Sequence, residues 1–373
     1  MPQRGPGMRA AALAIVAADG IDGKGGIERF TQYLTQQYAA DAPDLRWFIQ
    51  KTRFGTGVMR HLTAPLALAQ FAWRCATGRV ALAHINVAPK GSTFRKMLFS
   101  TTARMFGVPV LLHLHGSGYD EFYSRCPSFA QRLIRRFFLS AERVAVLGAH
   151  WRQFAAETLG LRGDTLLTVQ NGVPEPPALS RPCNSVAHLV FAGQLGERKG
   201  VDVLLQALAA LNVDTPNWRA TLAGGGDVIE FQRLAGSMGV GDKVTFPSWL
   251  SEQEVGALMA SADIFVLPSR AENQPIAILE AMARALPVVS TNVGAISEQV
   301  EDGVSGLLVP PGEHEPLAKA LARLIASPQE RQAMGAAGRV LYERRYSIKT
   351  CAGSFLAAYR DMLASSPVRL EGV

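Results

Sequence analysis

Two glutamates stand eight positions apart in Ser269-Arg-Ala-Glu-Asn-Gln-Pro-Ile-Ala-Ile-Leu-Glu-Ala-Met282. Glu272 falls in a loop after an apolar run. Pro275 suits the first turn of a helix, where its missing N–H costs little. Glu280 then lies inside that helix among Ile276, Ile278, Leu279 and Met282. A carboxylate in such company is costly unless something binds it. Eight helical residues would separate the two glutamates by about 12 Å, a reach comparable to that from one end of a sugar nucleotide to its ribose. A carboxylate also accepts paired hydrogen bonds from neighbouring hydroxyls. Asn273, Gln274, Ile276 and Ala277 lie between them and count as candidate contacts. The competing reading is a helix-terminal acid and a surface glutamate.

Cations stand in a second stretch, Phe191-Ala-Gly-Gln-Leu-Gly-Glu-Arg-Lys-Gly200, which ends a strand and opens the helical pattern Val201–Leu211. Arg198 and Lys199 sit near that helix's N-terminus, where N–H groups and the helix dipole favour a diphosphate. An exposed basic turn would read alike. Leu222-Ala-Gly-Gly-Gly-Asp227 again joins strand to helix, and Gly224 lets a ligand approach the backbone. A tight turn would need glycine anyway. Asp22-Gly-Lys-Gly-Gly-Ile-Glu-Arg29 offers Gly25 and Gly26 in a flexible loop. It is no dinucleotide fingerprint, because Glu28 stands where the third glycine belongs. Leu111-Leu-His-Leu-His-Gly-Ser-Gly118 puts His115 at the carboxyl end of a strand. His113 would share its face, which raises a metal site. Two ligands without a third weigh against that, and a structural role for His115 is the other alternative. No DxD occurs, so no divalent metal is expected.

These residues need elements to position them. Apolar runs expected as strands are Ala11–Ala17, Leu45–Ile49, Val80–Val87, Val108–His113, Arg143–Leu147 and Leu166–Gln170. A second set follows: His188–Ala192, Ala220–Leu222, Val244–Phe246, Ile264–Leu267, Val288–Ser290 and Gly306–Val309. Helical patterns separate them, the βαβ signature of parallel sheets. The Pro-rich stretch Asn171–Cys183 reads as a linker. The fold class is therefore α/β, with two doubly wound, Rossmann-like domains over 1–175 and 176–346. Ligands of such sheets bind beyond the carboxyl ends of the strands, which implies a central cleft between facing domains. A last helical stretch spans 347–373.

At 373 residues, with 48% hydrophobic and 18% charged content, the chain suits a soluble two-domain protein. Four scattered cysteines, Cys75, Cys126, Cys183 and Cys351, suggest neither a zinc cluster nor a disulfide framework and fit the cytoplasm. The net charge of +7 divides as +11 over residues 1–173 and −4 over the rest. A basic half attracts anionic membrane, nucleic acid or a phosphorylated acceptor, unless it is only a solvated surface. Arg4 and Arg9 before Ala10–Ala18 imitate a signal peptide, but the run suits a buried first strand. No apolar stretch reaches the roughly 18–20 residues that span a bilayer, so membrane contact would be peripheral, at the inner face of the cell membrane. The stretch Gly91–Phe99 with Arg104 and Phe106, and Arg132–Leu139, mix bulky apolar and basic residues. They suit a membrane interface or a helix packed on the core.

Together these residues resemble the GT4 family of glycosyltransferases. The likeness runs from Gly25-Gly26 through His115-Gly116, Asn171-Gly172, Lys199-Gly200 and Gly224–Gly226 to Glu272-x7-Glu280, then Pro287-Val-Val and Gly303–Val309. It implies a GT-B fold and a retaining transfer of a hexose, mannose or glucose type, from a nucleotide diphosphate sugar, without metal or other cofactor. Lys199 would neutralise the diphosphate, Glu272 hold the sugar hydroxyls, Glu280 the ribose, and His115 sit beside the reacting carbon. Gly25 and Gly26 would approach phosphates or acceptor. The first domain would bind the acceptor, the second the donor, and the last helix would cross back to the first. The family commonly has arginine where Gln194 stands, a cation Arg198 could replace, and glycine where Asn273 stands. Gly91–Lys96 is similar to bacterial members that build exopolysaccharide on a polyprenyl diphosphate carrier, several of them mannosyltransferases. The acceptor would then be a glycan or a lipid-linked sugar. Rival classes are a GT-B protein that binds nucleotide or glycan without turnover, a nicotinamide-dependent oxidoreductase, and a nucleic-acid binder. The missing third glycine opposes the oxidoreductase. The lack of an aromatic platform opposes nucleic acid.

Overall fold

Largely apolar runs such as Val80–Val87 and Val110–Leu114 are buried at every position, polar His84, Asn86 and His113 included, as strands covered on both faces must be. The computed structural model describes residues 12–18, 25–55, 62–177, 186–214 and 217–364. The Asp22–Lys24 part of the first glycine-rich loop and the Cys183 end of the linker lie outside them. The chain forms two units. One comprises residues up to Gly172 together with the segment from Ile348, and the other is Val173–Ser347.

The first unit holds β1 (Ala12–Ala17), β2 (Trp47–Lys51), β3 (Val80–Val87), β4 (Val110–Leu114), β5 (Arg143–Val146) and β6 (Leu166–Thr168). They pair in the order β2-β1-β3-β4-β5-β6, all parallel. The second holds β7 (Ala187–Ala192), β8 (Trp218–Ala223), β9 (Val244–Thr245), β10 (Ile264–Leu267), β11 (Val288–Thr291) and β12 (Gly306–Val309). Their order is β12-β11-β10-β7-β8-β9, again parallel. All the expected strands form, with ends moved by a residue or two. Val108 is not in β4, because its N–H closes the preceding helix on Ala103 O at 2.9 Å.

Strand order decides where chemistry can gather. In the second sheet the chain runs outward from β7 to β9, then returns to lay β10 on the other side of β7. The loops after β7 and β10 therefore leave the sheet side by side at a switch point, where such folds bind ligands. Two glycines mark how closely the loop after β7 meets its neighbours, Gly200 against the loop after β10 and Gly224, in the loop after β8, against Gly193. Gly200 has φ +70°, and a Cβ there would lie 1.9 Å from Pro268 O. Gly224 has φ +155°, and a Cβ would lie 1.7 Å from Gly193 O. Only glycine fits either position.

The last helix, Ile348–Leu363, packs on the helix Gly26–Asp41 within the first unit. Tyr359 and Tyr38 share a hydroxyl hydrogen bond of 3.1 Å, and Phe355 meets Phe30 edge-on.

Candidate functional site

In the second unit the loop after β7 ends in a single helical turn, Glu197–Lys199, closed by Gly200 N–H on Glu197 O at 2.9 Å. The loop after β10 is bound to it. Arg270 N–H donates to Arg198 O at 2.9 Å, and the Arg270 guanidinium grips Asp202 in a fork of 2.7 and 2.6 Å. Burial raises the Asp202 pKa, but the bonds and charge of Arg270 outweigh it and hold it below the usual range. That anchor presents Glu272 to Lys199. Lys199 Nζ donates to Glu272 Oε1, and Ser269 Oγ donates to the same oxygen at 2.9 Å. Arg198 Nη1 lies 3.6 Å from it and donates to Ala271 O at 3.1 Å. The Lys199 and Glu272 side chains are only 14% and 9% exposed, whereas Arg198 is 53% exposed. The protein thus draws together Lys199, Glu272 and Arg198. Their supports Ser269, Arg270 and Asp202 carried no signal in the sequence beyond lying beside them.

Glu280 is buried, as its apolar neighbours imply, on the helix Ile276–Ala283. The Glu272–Glu280 spacing is not eight helical residues, however. The helix starts only after Pro275, whose ψ of 123° is extended, so Glu272–Pro275 form a loop. Proline has no N–H to continue the ladder and disfavours helix in the residue before it. Asn273, Gln274 and Ile276 are buried along this stretch, and Ala277 is half-buried. The Asn273 backbone O accepts from Ala295 N–H at 2.9 Å, so the stretch is tied to the loop after β11. Gly224 packs on the protein's own Gly193, which meets the demand of a tight turn. Gln194 is exposed beside it.

In the first unit His115 continues β4, with its backbone N–H on Val87 O at 2.9 Å. Its Nε2 lies 3.1 Å from Asn86 Oδ1, and its ring stacks 3.7 Å from that of His113. His113 Nδ1 meets His84 Nε2 at 3.2 Å, and His84 Nδ1 meets Tyr359 Oη at 2.6 Å. Three histidines therefore form a chain leading to the last helix. His84, Tyr359 and Asn86 were missed in the sequence, because each reads as an ordinary core position. Among the described residues, no group of three His, Cys, Asp or Glu could hold a metal ion. Gly25 caps the helix Gly26–Asp41 with φ −106°, and a Cβ on Gly26 would meet open space. Neither glycine is demanded by the backbone itself.

Burial, and then the Lys96 charge, lowers the His84 pKa to about 3. Burial, His84 and Lys96 lower that of His115 to about 3 as well. Burial, His115 and His84 hold His113 well below its usual value. All three rings are neutral when folded, while the unfolded chain protonates near pH 6.5. Stability is therefore complete above that pH and is lost as pH falls from 6.5 towards 3, by about 1.4 kcal/mol per ring per pH unit. Urea titrations at pH 7.5, 6.5 and 5.5, above the carboxylate range, should show a falling midpoint. An unchanged midpoint would show that the rings titrate in the fold as they do in the unfolded chain.

Residues 185–341 match the family described as glycosyl transferases group 1. The GDP-mannose-dependent alpha-(1-6)-phosphatidylinositol monomannoside mannosyltransferase of Mycobacterium tuberculosis is 35% identical over 262 residues, covering 65% of this chain and 67% of that protein. Two other curated relatives are spanned over only 45% and 46% of their length. Among solved structures, a sucrose-phosphate synthase from Thermosynechococcus elongatus superposes with a TM-score of 0.76 at 21% identity, over 95% of this chain and all of that one. Anabaena Alr3699/HepE in complex with UDP-glucose gives 0.74 at 19% identity, over 94% of this chain and 99% of that one.

Proposed function

We propose that this chain, which belongs to the group 1 glycosyl transferases, moves a hexosyl group from a nucleotide diphosphate sugar to a hydroxyl of a glycan or lipid-linked acceptor. Its two six-stranded parallel units are those of the GT-B fold. The observation that carries the proposal is the cluster of Lys199, Arg198 and Glu272 at the second sheet's switch point. Two cations there suit a diphosphate, and a carboxylate beside them suits sugar hydroxyls. The Lys199–Glu272 pair keeps both groups in place before a donor arrives. When the diphosphate takes the cations, the Glu272 carboxylate turns to the hydroxyls of the sugar. The buried Glu280 is assigned to the ribose, and Asn273, Gln274, Ile276, Ala277 and Gly224 to the donor's walls.

The reaction we assign retains the anomeric configuration. The acceptor oxygen bonds to the anomeric carbon on the face from which the phosphate oxygen leaves. The nucleotide diphosphate departs with the bonding electrons, and its phosphate oxygen takes the acceptor proton. Preorganised cations at the leaving group are the main catalytic term. His115 is assigned a part in the transfer, and Gly25 and Gly26 contacts to phosphates or acceptor, as the family resemblance implies. Mannose or glucose is the assigned sugar class. The Mycobacterium relative is named for GDP-mannose and a phosphatidylinositol mannoside, and the Anabaena structure holds UDP-glucose. These names favour the donor class and a lipid-linked acceptor, and the likeness of Gly91–Lys96 to exopolysaccharide-building members adds a role in surface polysaccharide synthesis.

A peripheral site at the inner face of the cell membrane completes the reading. No helix among the described residues is long and apolar enough to cross a membrane. The helix Gly91–Met105 and its cap expose Phe94, Leu98, Met105 and Phe106, and the helix Ser128–Leu139 exposes Phe129, Leu133 and Leu139 beside three exposed arginines, Arg132, Arg135 and Arg136. Lys96 and Phe99, expected on that surface, turn inward instead. Lys96 donates to Val16 O at 2.8 Å, and Phe99 packs on Phe71. The helix buries one face in the core, and residues at those positions follow it.

Three outcomes are expected. Lys199→Ala should stay folded, since Ser269 and Arg198 remain near Glu272, yet transfer at least about a hundredfold more slowly while still binding nucleotide diphosphate. Arg198→Ala should also be slowed and Gln194→Arg tolerated. Near-normal kcat in Lys199→Ala would refute the leaving-group site, and absence of any transfer across a panel of nucleotide sugars would leave a binding protein. Second, transfer should persist in excess EDTA, because Arg198 and Lys199 supply the charge; loss restored by Mg²⁺ would contradict this. Third, the protein should sediment with anionic vesicles at low salt and be released at high salt, each surface arginine contributing about 1 kcal/mol. Equal recovery with neutral vesicles would count against the docking face.

A further inference from the structure

A histidine beside a reacting sugar has two neutral forms, and they do opposite things. With the proton on Nε2, the Nδ1 nitrogen can only accept a hydrogen bond. With the proton on Nδ1, that nitrogen can only donate. Which form is present follows from the partner of the other nitrogen.

For His115 that partner is Asn86, and its amide is itself oriented. The chain of contacts starts on the helix Gly26–Asp41. Thr31 Oγ1 donates its single hydrogen to Ile27 O at 2.8 Å. Having given up that hydrogen, Oγ1 can only accept from Asn86, whose Nδ2 donates to it at 3.2 Å. The Asn86 amide therefore turns its Oδ1 towards His115, at 3.1 Å from Nε2. The reversed amide would set two oxygens, Ile27 O and Asn86 Oδ1, against one Thr31 hydrogen. It would also bring Asn86 N–H groups to His115 Nε2. All three side chains are buried, with Thr31 at 1%, Asn86 at 4% and His115 at 8% exposure. Water is thus poorly placed to substitute for a missing partner, and an unmatched polar pair costs free energy.

We infer that Asn86, oriented by Thr31, is a positioning residue that holds His115 as the Nε2–H tautomer, so that His115 Nδ1 acts only as a hydrogen-bond acceptor. The inference rests on the proposed part of His115 in the transfer. Any group that meets Nδ1 must then donate to it, and a ring oxygen or a hydroxyl lone pair is refused. Specificity at that position comes from a residue one strand away from the ring that exercises it. The depressed basicity of His115 supports the same picture, because a ring that stays neutral at pH 7 keeps a defined tautomer.

Two-dimensional ¹⁵N NMR of histidine-labelled protein reads the tautomer directly, with the His115 signals assigned by their loss in His115→Gln. The wild type should show a protonated Nε2 and an unprotonated Nδ1 for His115. Asn86→Leu and Thr31→Val should each shift this ring towards a mixture and lower kcat about tenfold or more with little change in donor KM. Asn86→Asp keeps an oxygen acceptor and should retain the tautomer and most of the activity. It should also move the acidic limb of the kcat profile upward, because a carboxylate favours the imidazolium. Thr31→Val is nearly isosteric, so it serves if Asn86→Leu does not fold. A wild-type His115 protonated on Nδ1 would overturn the inference. A tautomer lost in the variants with kcat unchanged would overturn Asn86 as a positioning residue for the reaction. Failure of the wild type to transfer any sugar would instead overturn the proposed function, and the spectrum would still decide the tautomer.

Discussion

Glu272 is nearly closed to water and receives a lysine and a serine on one oxygen. Taking such a pair out of water is costly, and removing one partner strands the other. The surroundings are built to avoid that. The Arg270–Asp202 fork ties the two loops together, and Arg270 N–H binds the carbonyl of Arg198. Gly200 lets the turn lie against Pro268 O with no side chain between them. If the loops parted, an uncompensated carboxylate and ammonium would be left at the end of the sheet. The position of the charged groups therefore depends on loop contacts that carry no charge chemistry of their own.

The first unit uses the opposite device. Its polar side chains at the strand ends are neutral; His115 lies ring against ring with His113, and hydrogen bonds run from His113 through His84 to Tyr359. Burial removes the cost of charge by removing the charge, since it holds each ring's pKa far below the usual value and the ring stays neutral at pH 7. The fixed cation nearby, Lys96, is satisfied by the carbonyl of Val16. One unit thus offers charge suited to a diphosphate, the other neutral donors and acceptors suited to hydroxyls.

The last helix shows why both ends of the chain matter to the first unit. Tyr359 reaches the His84 ring and the Tyr38 hydroxyl, and Phe355 packs against Phe30, His84 and His113. A segment 275 residues away from His84 closes the histidine chain. Losing it would take the Tyr359 hydroxyl away from both the His84 ring and Tyr38.

The sequence by itself determined the twelve strands, because they are short, mostly apolar runs set between helical patterns, as the strands of a covered parallel sheet are. It also determined that Lys199 follows one strand and Glu272 another, and that Glu280 is buried. Periodicity and punctuation are local, and local patterns are legible. What only the tertiary structure decided was partnership. Lys199 and Glu272 are 73 residues apart, and they meet because β10 is laid beside β7, a strand order that no local pattern encodes. The inward turn of Lys96 and the Asn86–Thr31 support of His115 were hidden for the same reason. Each depends on which distant surface a residue faces once the sheets are assembled, and the energy of that contact does not exist until they are.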